Sequence, residues 1–346
     1  MSERDLQAAA HLLDVGRATE AEQMARAHLA SDPQSAQALG LLTEALNDQE
    51  RWSEAVASGR AAVAAAPDDA RGLVTLSIAE GGAGNVPGSL DAARYAVRLA
   101  PQVWAPHYQL ARSLLQGGDP GEALAAARRA VALAPNSASA RNLVGACLQS
   151  DGDDAGARRA YSDALRLDPQ DAYAMRNLAS LELSAGRLGT ATRAASAALA
   201  LAPQDDRVRR RFGFVLHALV RQLNLVVALG GTMLGIAMIL KAPYALRVAL
   251  ALAIATIDTW AFVRMTRHLP RGLRRPGRQS LRYLGWFVRL RLLLILAVTV
   301  AILFTALAPL HVTRTTWPAL YPWFVGIVAA ILLLDFAAAV GQEATR

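Results

Sequence analysis

The residue types that most often carry catalysis are few in this chain and are scattered along it. The histidines form no pair at the i, i+4 spacing that places two metal ligands on one helix face. They are His11, His28, His107, His217, His268 and His311. The lone cysteine, Cys147, can form neither an intramolecular disulfide nor a thiolate metal site by itself. The stretch GGAGNVPG lacks a lysine to reach a phosphate, and no GxSxG motif occurs. We therefore predict no catalytic residues, no metal, no cofactor and no enzymatic activity.

Two acidic residues, Asp258 and Asp335, stand inside otherwise apolar stretches of the C-terminal part of the chain. A carboxylate at the centre of a bilayer costs about 2.5–3.5 kcal/mol. Both aspartates lie near the predicted ends of their helices on the side where Arg289 and Arg291 also lie. This arrangement favours an ion-pair cluster that holds the helices together. The alternative is a proton or ion path, which would make this part a small transporter or channel subunit with the N-terminal part as its regulator.

The C-terminal part of the chain contains four long apolar segments. They are about 223–240, 244–263, 285–308 and 319–340. Each is close to the about 20 residues that a helix needs to cross a bilayer. We therefore predict a four-helix transmembrane bundle within 223–346. In its first span, Gly231 and Gly235 form a GxxxG motif, which favours close helix packing within the bundle or between protomers.

Charge is distributed unevenly between the two halves of the chain. Residues 1–205 carry 18 Lys and Arg against 24 Asp and Glu, whereas 206–346 carry 18 against 4. The basic pI of about 10.3 is therefore an average, and it does not by itself indicate nucleic-acid binding. The loop between the second and third spans lacks interleaved aromatic residues, so its arginines are predicted to contact anionic lipid headgroups. They include Arg271, Arg274, Arg275 and Arg278.

The arginines also predict an orientation. Positively charged residues flank the cytoplasmic ends of membrane spans, and here they precede the first span and fill the second loop. The N-terminal part, that loop and the C-terminus are therefore predicted to be cytoplasmic, in a multi-pass protein of the cytoplasmic (inner) membrane. No apolar signal segment opens the chain, in agreement with this orientation. Residues 206–222 alternate cationic and apolar patches and are predicted to form an interfacial helix.

An internal repeat organises residues 1–205. Six prolines recur every 34 residues, which is the period of stacked helix–turn–helix units. They are Pro33, Pro67, Pro101, Pro135, Pro169 and Pro203. Counting each proline as position 32, positions 8 and 20 are small in every unit, so two helices can approach closely where they cross. Position 15 is glycine in five units and Glu50 in the other. Glycine there permits the positive φ that ends a helix.

Cys147 falls within a repeat helix and is predicted to be a small core residue.

This pattern resembles the tetratricopeptide repeat family over all six units, about 60% of the chain. The resemblance implies an all-α solenoid of six helical hairpins over 1–205, followed here by the predicted membrane bundle. It also implies a concave groove lined by the first helix of each unit. At the family's groove positions, arginine, asparagine and tyrosine could hold the backbone and carboxylates of a peptide, such as an acidic C-terminal tail. These residues are Arg71, Tyr108, Arg112, Asn142, Tyr173 and Arg176. Unit 2 supplies Glu44, Asn47 and Asp48 at the same positions.

These observations predict a membrane-anchored scaffold. Its groove would bind a protein or peptide partner and hold it at the cytoplasmic membrane. The transport alternative places the function at Asp258 and Asp335 instead. A third alternative is self-assembly, in which the solenoid binds another copy and forms a homo-oligomer. Nucleic acid is not among the predicted partners.

Overall fold

The computed structural model describes residues 3–215 and the isolated residues 218, 243, 246, 249, 250, 253, 256 and 257. Within 3–215 the chain forms twelve α-helices, then a helical stretch over 206–215, and no β-strand. The helices are α1 (Glu3–Asp14), α2 (Ala18–Leu29), α3 (Ala36–Asp48), α4 (Trp52–Ala65), α5 (Ala70–Gly82), α6 (Val86–Leu99), α7 (Trp104–Gln116), α8 (Pro120–Leu133), α9 (Ala138–Ser150), α10 (Asp154–Leu167), α11 (Ala172–Ser184) and α12 (Leu188–Leu201). They form six successive hairpins, one per 34-residue unit, which confirms the predicted all-α repeat architecture.

The helix boundaries follow from local sequence. Several helices begin at a side chain that caps a free backbone N–H. For example, Ser35 Oγ accepts from the N–H of Ala38 at 3.4 Å, and Asp153 Oδ1 accepts from the N–H of Gly156 at 2.8 Å. Two residues after the first helix of each unit ends, the chain has a residue with positive φ. Five of these residues are the predicted glycines, with φ between 71° and 85°. Glu50 takes the same conformation at φ 56° despite its β-carbon, so the hairpin geometry is kept even without glycine.

The described residues fall into two compact parts, Met1–Asn177 and Leu178–Arg346. In the first part, each helix packs on its neighbours in sequence, and the first helices of successive units also pack on one another. The core is rich in alanine and leucine. Ala9, Ala111 and Ala123, at the helix-crossing positions, have no solvent exposure. Small residues at positions 8 and 20 thus allow the close helix contact that the sequence predicts.

Unit 3 carries serine at both crossing positions, Ser77 and Ser89, and both are buried. Each hydroxyl donates to the other residue's backbone carbonyl, at 2.8 Å and 2.7 Å. Ser113 of the next unit lies 2.7 Å from Ser89, oxygen to oxygen. Because every hydroxyl has a partner, burial of this polar cluster avoids the cost of an unsatisfied group.

Cys147 is fully buried in a cluster that includes Leu114 and Leu143. Burial raises the pKa of its thiol to about 11. The side chain is therefore a protonated core residue at neutral pH, as predicted from its place in a repeat helix.

The second part is described over 178–215 and at the isolated residues. On α12, Ala191 and Ala198 have no solvent exposure. The helical stretch 206–215 begins where Asp205 Oδ1 accepts from the N–H of Arg207 at 2.7 Å. Val208, Phe212 and Val215 are buried, whereas Arg209 and Arg210 are exposed. The apolar face of the segment predicted to be interfacial is therefore packed inside the protein over these residues.

The four predicted spans lie outside the described residues, apart from six isolated positions of the second span. Among the described residues, no helix combines the length and the apolar character needed to cross a bilayer.

An ion-pair network fastens the first two units together. The carboxylate of Glu22 on α2 is buried and accepts from Arg26 at 2.8 Å, from Arg51 at 2.7 Å and from Gln49 at 2.8 Å. Burial opposes ionisation of this carboxyl, but the hydrogen bonds from Gln49, Arg26 and Arg51 outweigh it and lower its pKa to about 2. The folded state therefore holds this group ionised where the unfolded chain would begin to protonate it.

We expect Glu22 to make the stability of units 1 and 2 dependent on pH. A lowered folded-state pKa contributes stability above the unfolded value of 4.5 that is lost as the pH falls towards about 2. After allowance for solvent screening of the arginines, Glu22→Gln should lower the free energy of unfolding by about 1–2 kcal/mol at pH 7. The deficit should shrink by pH 3 in chemical unfolding of the full chain. Glu20→Gln, in the exposed pair with Arg17, is the control and should change little. An equal deficit at both pH values would contradict the assignment.

Close packing explains the paired glycines at the end of α5. A β-carbon on Gly82 would lie 2.2 Å from the ring of Trp52, and one on Gly81 would lie 3.0 Å from the side chain of Gln116. By contrast, a β-carbon on Gly40 in α3 meets nothing within 4 Å. The glycines of unit 3 thus make room for an aromatic ring at the start of α4.

The substitutions Gly82→Ala and Gly40→Ala should have opposite effects on stability. At Gly82 the clash with the rigid Trp52 ring should outweigh the better helix propensity of alanine and lower the free energy of unfolding by about 1–3 kcal/mol. At Gly40 the propensity gain should raise it by about 0.5–1 kcal/mol. Thermal unfolding of the two full-length variants would measure this. A stabilised Gly82→Ala chain would show that the ring contact does not constrain the packing.

Candidate functional site

The first helices of units 1 to 5 lie side by side in the first part of the chain. Pairs α1–α3, α3–α5, α5–α7 and α7–α9 are in contact. The side chains that these helices present on the side away from their hairpin partners share one surface, which we call the inner groove. This is the surface on which the family resemblance places partner binding.

An open pocket with a volume of about 750 Å³ lies in the inner groove. Residues of α1, α3 and α5 line it, together with the α6–α7 connection and the start of α7. Its larger apolar lining residues are Leu13, Val74, Ile78, Val103 and Pro106, and its polar lining residues are Asp14, Glu44, Asn47, Asp48, Arg71 and Thr75. We call this the groove pocket. It combines apolar walls with a small set of charged groups, as ligand pockets commonly do.

Arg71 lines the groove pocket, but a neighbouring helix already binds its guanidinium. Nε and Nη2 of Arg71 donate to the two carboxylate oxygens of Glu44, at 2.9 Å and 3.0 Å. Hydrogen bonding and the charge of Glu44 raise the pKa of Arg71, so the guanidinium stays protonated. The pair joins α3 to α5 across one repeat. Glu44 thus balances the charge of Arg71, although the N–H groups on Nη1 are not bound by Glu44 and stay available to a ligand.

Asn47 and Asp48 give the pocket further acceptor oxygens. Asn47 Nδ2 donates to the carbonyl of Thr75 at 3.1 Å, which fixes the amide between α3 and α5. Its Oδ1 is buried and accepts no hydrogen bond from the described residues. Partial burial and the nearby Glu44 carboxylate raise the pKa of Asp48. Its ionised form is thus disfavoured when no cation is close.

Tyr108 and Arg112 lie farther along the inner groove, on α7. The ring of Tyr108 packs edge-to-face against Trp104, with the ring centroids 5.7 Å apart. Burial raises the pKa of Tyr108, so the phenol is neutral and can donate a hydrogen bond at physiological pH. Arg112 is exposed and donates to Gln109 Oε1 at 3.4 Å. Neither residue lines the groove pocket.

The other predicted groove residues form a polar chain between α9 and α11. Asn142 Oδ1 accepts from Asn177 Nδ2 at 3.0 Å, and Asn177 Oδ1 accepts from Arg176 Nη2 at 3.2 Å. The Arg176 guanidinium also lies over the ring of Tyr173, 5.1 Å from its centroid. The structure thus brings Asn142, Tyr173 and Arg176 together and leaves Arg71 in the separate groove pocket.

Two kinds of pocket residue were missed from the sequence. Asp14 occupies a groove position of unit 1 and could have been found with the rule that selected Glu44 and Asp48. Val103 lies in the connection before α7, half exposed, where a rule about first-helix positions does not look. The signal for it was an apolar residue at the N-cap position, which in other units is Ser35, Asp69 or Ser137.

The remaining predicted residues lie outside the described part of the chain. They are Asp258, Asp335, Arg289, Arg291, Gly231, Gly235, Arg271, Arg274, Arg275 and Arg278. Among the described residues, no group of three or more His, Cys, Asp or Glu is placed to hold a metal ion.

Comparison with known proteins gives one family. The model of the tetratricopeptide repeat matches residues 6–70, 74–138, 108–161 and 148–206, together more than half of the chain. A comparison with curated protein sequences found no match.

Several solved structures are similar to this chain. The hetero-tetramer Cut9–Hcn1 of APC/C aligns over 76% of this chain and 48% of that one, at 17% identity and a TM-score of 0.53. TTC0263, a thermophilic TPR protein of Thermus thermophilus, aligns over 52% of this chain and 98% of that one, at 24% identity and a TM-score of 0.48. YrrB, described as a TPR protein with an unusual peptide-binding site, aligns over 53% and 95%, at 19% identity and a TM-score of 0.38. The likeness to Cut9–Hcn1, at 17% identity and a TM-score above 0.5, is one of fold.

Proposed function

Because this chain belongs to the tetratricopeptide repeat family, we propose that it is a scaffold that binds a protein or peptide segment in its inner groove and holds it at the cytoplasmic membrane. Proteins of this family mediate protein–protein interaction and bind peptides. The observation that carries the proposal is the groove pocket, an open cavity of about 750 Å³ on the surface formed by the first helices. Its mixed apolar and charged lining suits an amino-acid side chain.

The groove suits an extended segment better than a small isolated ligand. The first helices of five units lie side by side, so the surface continues from the groove pocket past Tyr108 and Arg112 towards Asn142. Val103 lines the pocket and Trp104 begins α7, and their side chains are 49% and 38% exposed. Aromatic and apolar groups beside a pocket can anchor the flanking residues of a bound segment.

Membrane attachment is part of the proposal, and its support comes from the sequence. Four apolar segments of spanning length follow the repeats, and arginine is concentrated on one predicted side of them. The isolated described residues of the second segment are helical, and Leu246 and Ile257 are 56% and 53% exposed. Such exposed apolar side chains on a helix suit contact with lipid. The transport alternative, through Asp258 and Asp335, stays a prediction from sequence.

Photo-crosslinking in native membranes tests the binding surface. A photoreactive phenylalanine analogue at Val103 in the full chain should crosslink a partner, because this side chain is half exposed at the groove pocket. The matched control is Leu167 at the end of α10, which is 37% exposed and does not line the pocket. The crosslinked species would be identified and mapped by mass spectrometry. Equal crosslinking at both positions, or none at Val103, would contradict binding in the groove.

Extraction and protease protection test the attachment. With four spans and cytoplasmic termini, the full chain should stay in the membrane pellet after alkaline carbonate. Tags at both termini should be protected in intact spheroplasts and digested in inverted vesicles. Release by carbonate, or digestion of either tag in spheroplasts, would overturn this part of the proposal.

A further inference from the structure

We propose that the groove pocket binds the side chain of an arginine or lysine, flanked by apolar residues in an extended segment of a partner protein. This inference rests on the proposed function, since it requires that the inner groove binds a peptide segment. The charge of this ligand is opposite to that of the acidic tail that the arginines of the sequence suggested.

The charge of the pocket lining favours a cation. Asp14, Glu44 and Asp48 supply three carboxylates, against the one guanidinium of Arg71, a formal excess of two negative charges. Arg71 is bound by both oxygens of Glu44, so the excess lies on Asp14 and Asp48. Neither of these aspartates forms an ion pair within the described residues. A ligand cation would therefore meet two carboxylates that lack an ion-pair partner among the described residues, of which Asp14 interacts with Arg71 only at longer range.

Asp48 and Asn47 would both interact favourably with a cationic group that donates hydrogen bonds. Partial burial and Glu44 raise the pKa of Asp48, so the surroundings of this carboxyl disfavour its charge. A bound guanidinium or ammonium would reverse that effect. Asn47 presents a buried Oδ1 with no donor among the described residues, while its Nδ2 is held by Thr75. Asn47 thus presents an acceptor that lacks a donor, which suits a ligand group that donates.

The apolar lining explains why the cation should come from a side chain. The methylene groups of an arginine or lysine could pack against the apolar lining residues Leu13, Val74, Ile78 and Pro106. The half-exposed Val103 adds to this apolar surface. Such side chains bury an apolar stem while their charged head meets polar groups. A small inorganic cation would leave these walls without contacts. An acidic tail would bring its carboxylates towards Asp14 and Asp48, and the one cation of the lining, Arg71, already has its charge balanced by Glu44.

Peptide selection with the full chain in lipid nanodiscs tests the inference. A phage-displayed library of random ten-residue peptides would be selected on the chain, and the enriched peptides would be synthesised for affinity measurement. We expect enrichment of arginine or lysine between apolar residues. Replacing that residue by glutamine should weaken binding about tenfold, as expected for loss of a charge-assisted contact of about 1.4 kcal/mol.

Three variants of the chain locate the contact. Asp48→Asn should weaken binding of the enriched peptide about five- to tenfold, because it removes an unpaired carboxylate. The matched control Asp91→Asn, exposed on α6 and outside the pocket, should stay within about twofold. Arg71→Gln should tighten binding about threefold or more, because it frees Glu44 for the ligand. A misfolded variant could not produce that gain, so the opposite signs separate a charge effect from damage to the fold.

The other outcomes each have a definite meaning. Enrichment of acidic peptides that Arg71→Gln weakens would keep the proposed function and overturn the cationic specificity. Enriched basic peptides that ignore Asp48→Asn would place binding outside this pocket and also overturn the inference. If a synthetic peptide of residues 264–282 bound more tightly than every selected peptide, the occupant would be another copy of this chain, not a separate partner. No enrichment at all would count against the proposed function and the inference together.

Discussion

Close contact between paired helices is the constraint on which the rest of the described structure depends. At the two crossing positions of each hairpin the side chain is small, and alanines such as Ala9 and Ala123 are completely buried there. A larger side chain would push the helices apart and lose contacts along their whole length. Because the helices are close, each hairpin presents the same two faces to its neighbours, and the first helices align in one row. The inner groove and its pocket exist because that alignment repeats.

Ion pairs between successive units fix the register of this row. Glu22 binds Arg51 of the next unit, Arg60 reaches Glu80 at 2.8 Å, and Arg71 binds Glu44. The carboxylates of Glu22 and Glu80 are buried, and each of the three pairs couples two units in one geometry. These pairs also determine which charged side chains of the groove pocket lack an ion-pair partner. Arg71 is bound by Glu44, so the carboxylates of Asp14 and Asp48 dominate the groove pocket.

The sequence identified most of the polar residues of the groove pocket, but it could not show how their charges are paired. Groove positions within the repeat pointed to Arg71, Glu44, Asn47 and Asp48, and all of them line the pocket. From the sequence, the arginines of the groove are predicted to bind ligand carboxylates, because an exposed arginine suits a carboxylate ligand. A one-dimensional pattern does not reveal that Arg71 and Glu44, 27 residues apart, meet as a bidentate pair. Nor does it show that Val103, outside any first helix, reaches the same cavity.

The sequence alone determined the local architecture of residues 3–205. Proline every 34 residues, glycine near the end of the first helix and small residues at the crossings each act within a few turns of helix, so their consequences can be derived without the fold. The tertiary structure decided which charges remain available. That outcome depends on distances between side chains of different hairpins, such as the 2.9 Å contact of Arg71 with Glu44. These distances are set by how one unit stacks on the next, and stacking is a property of the packed core that no single unit encodes.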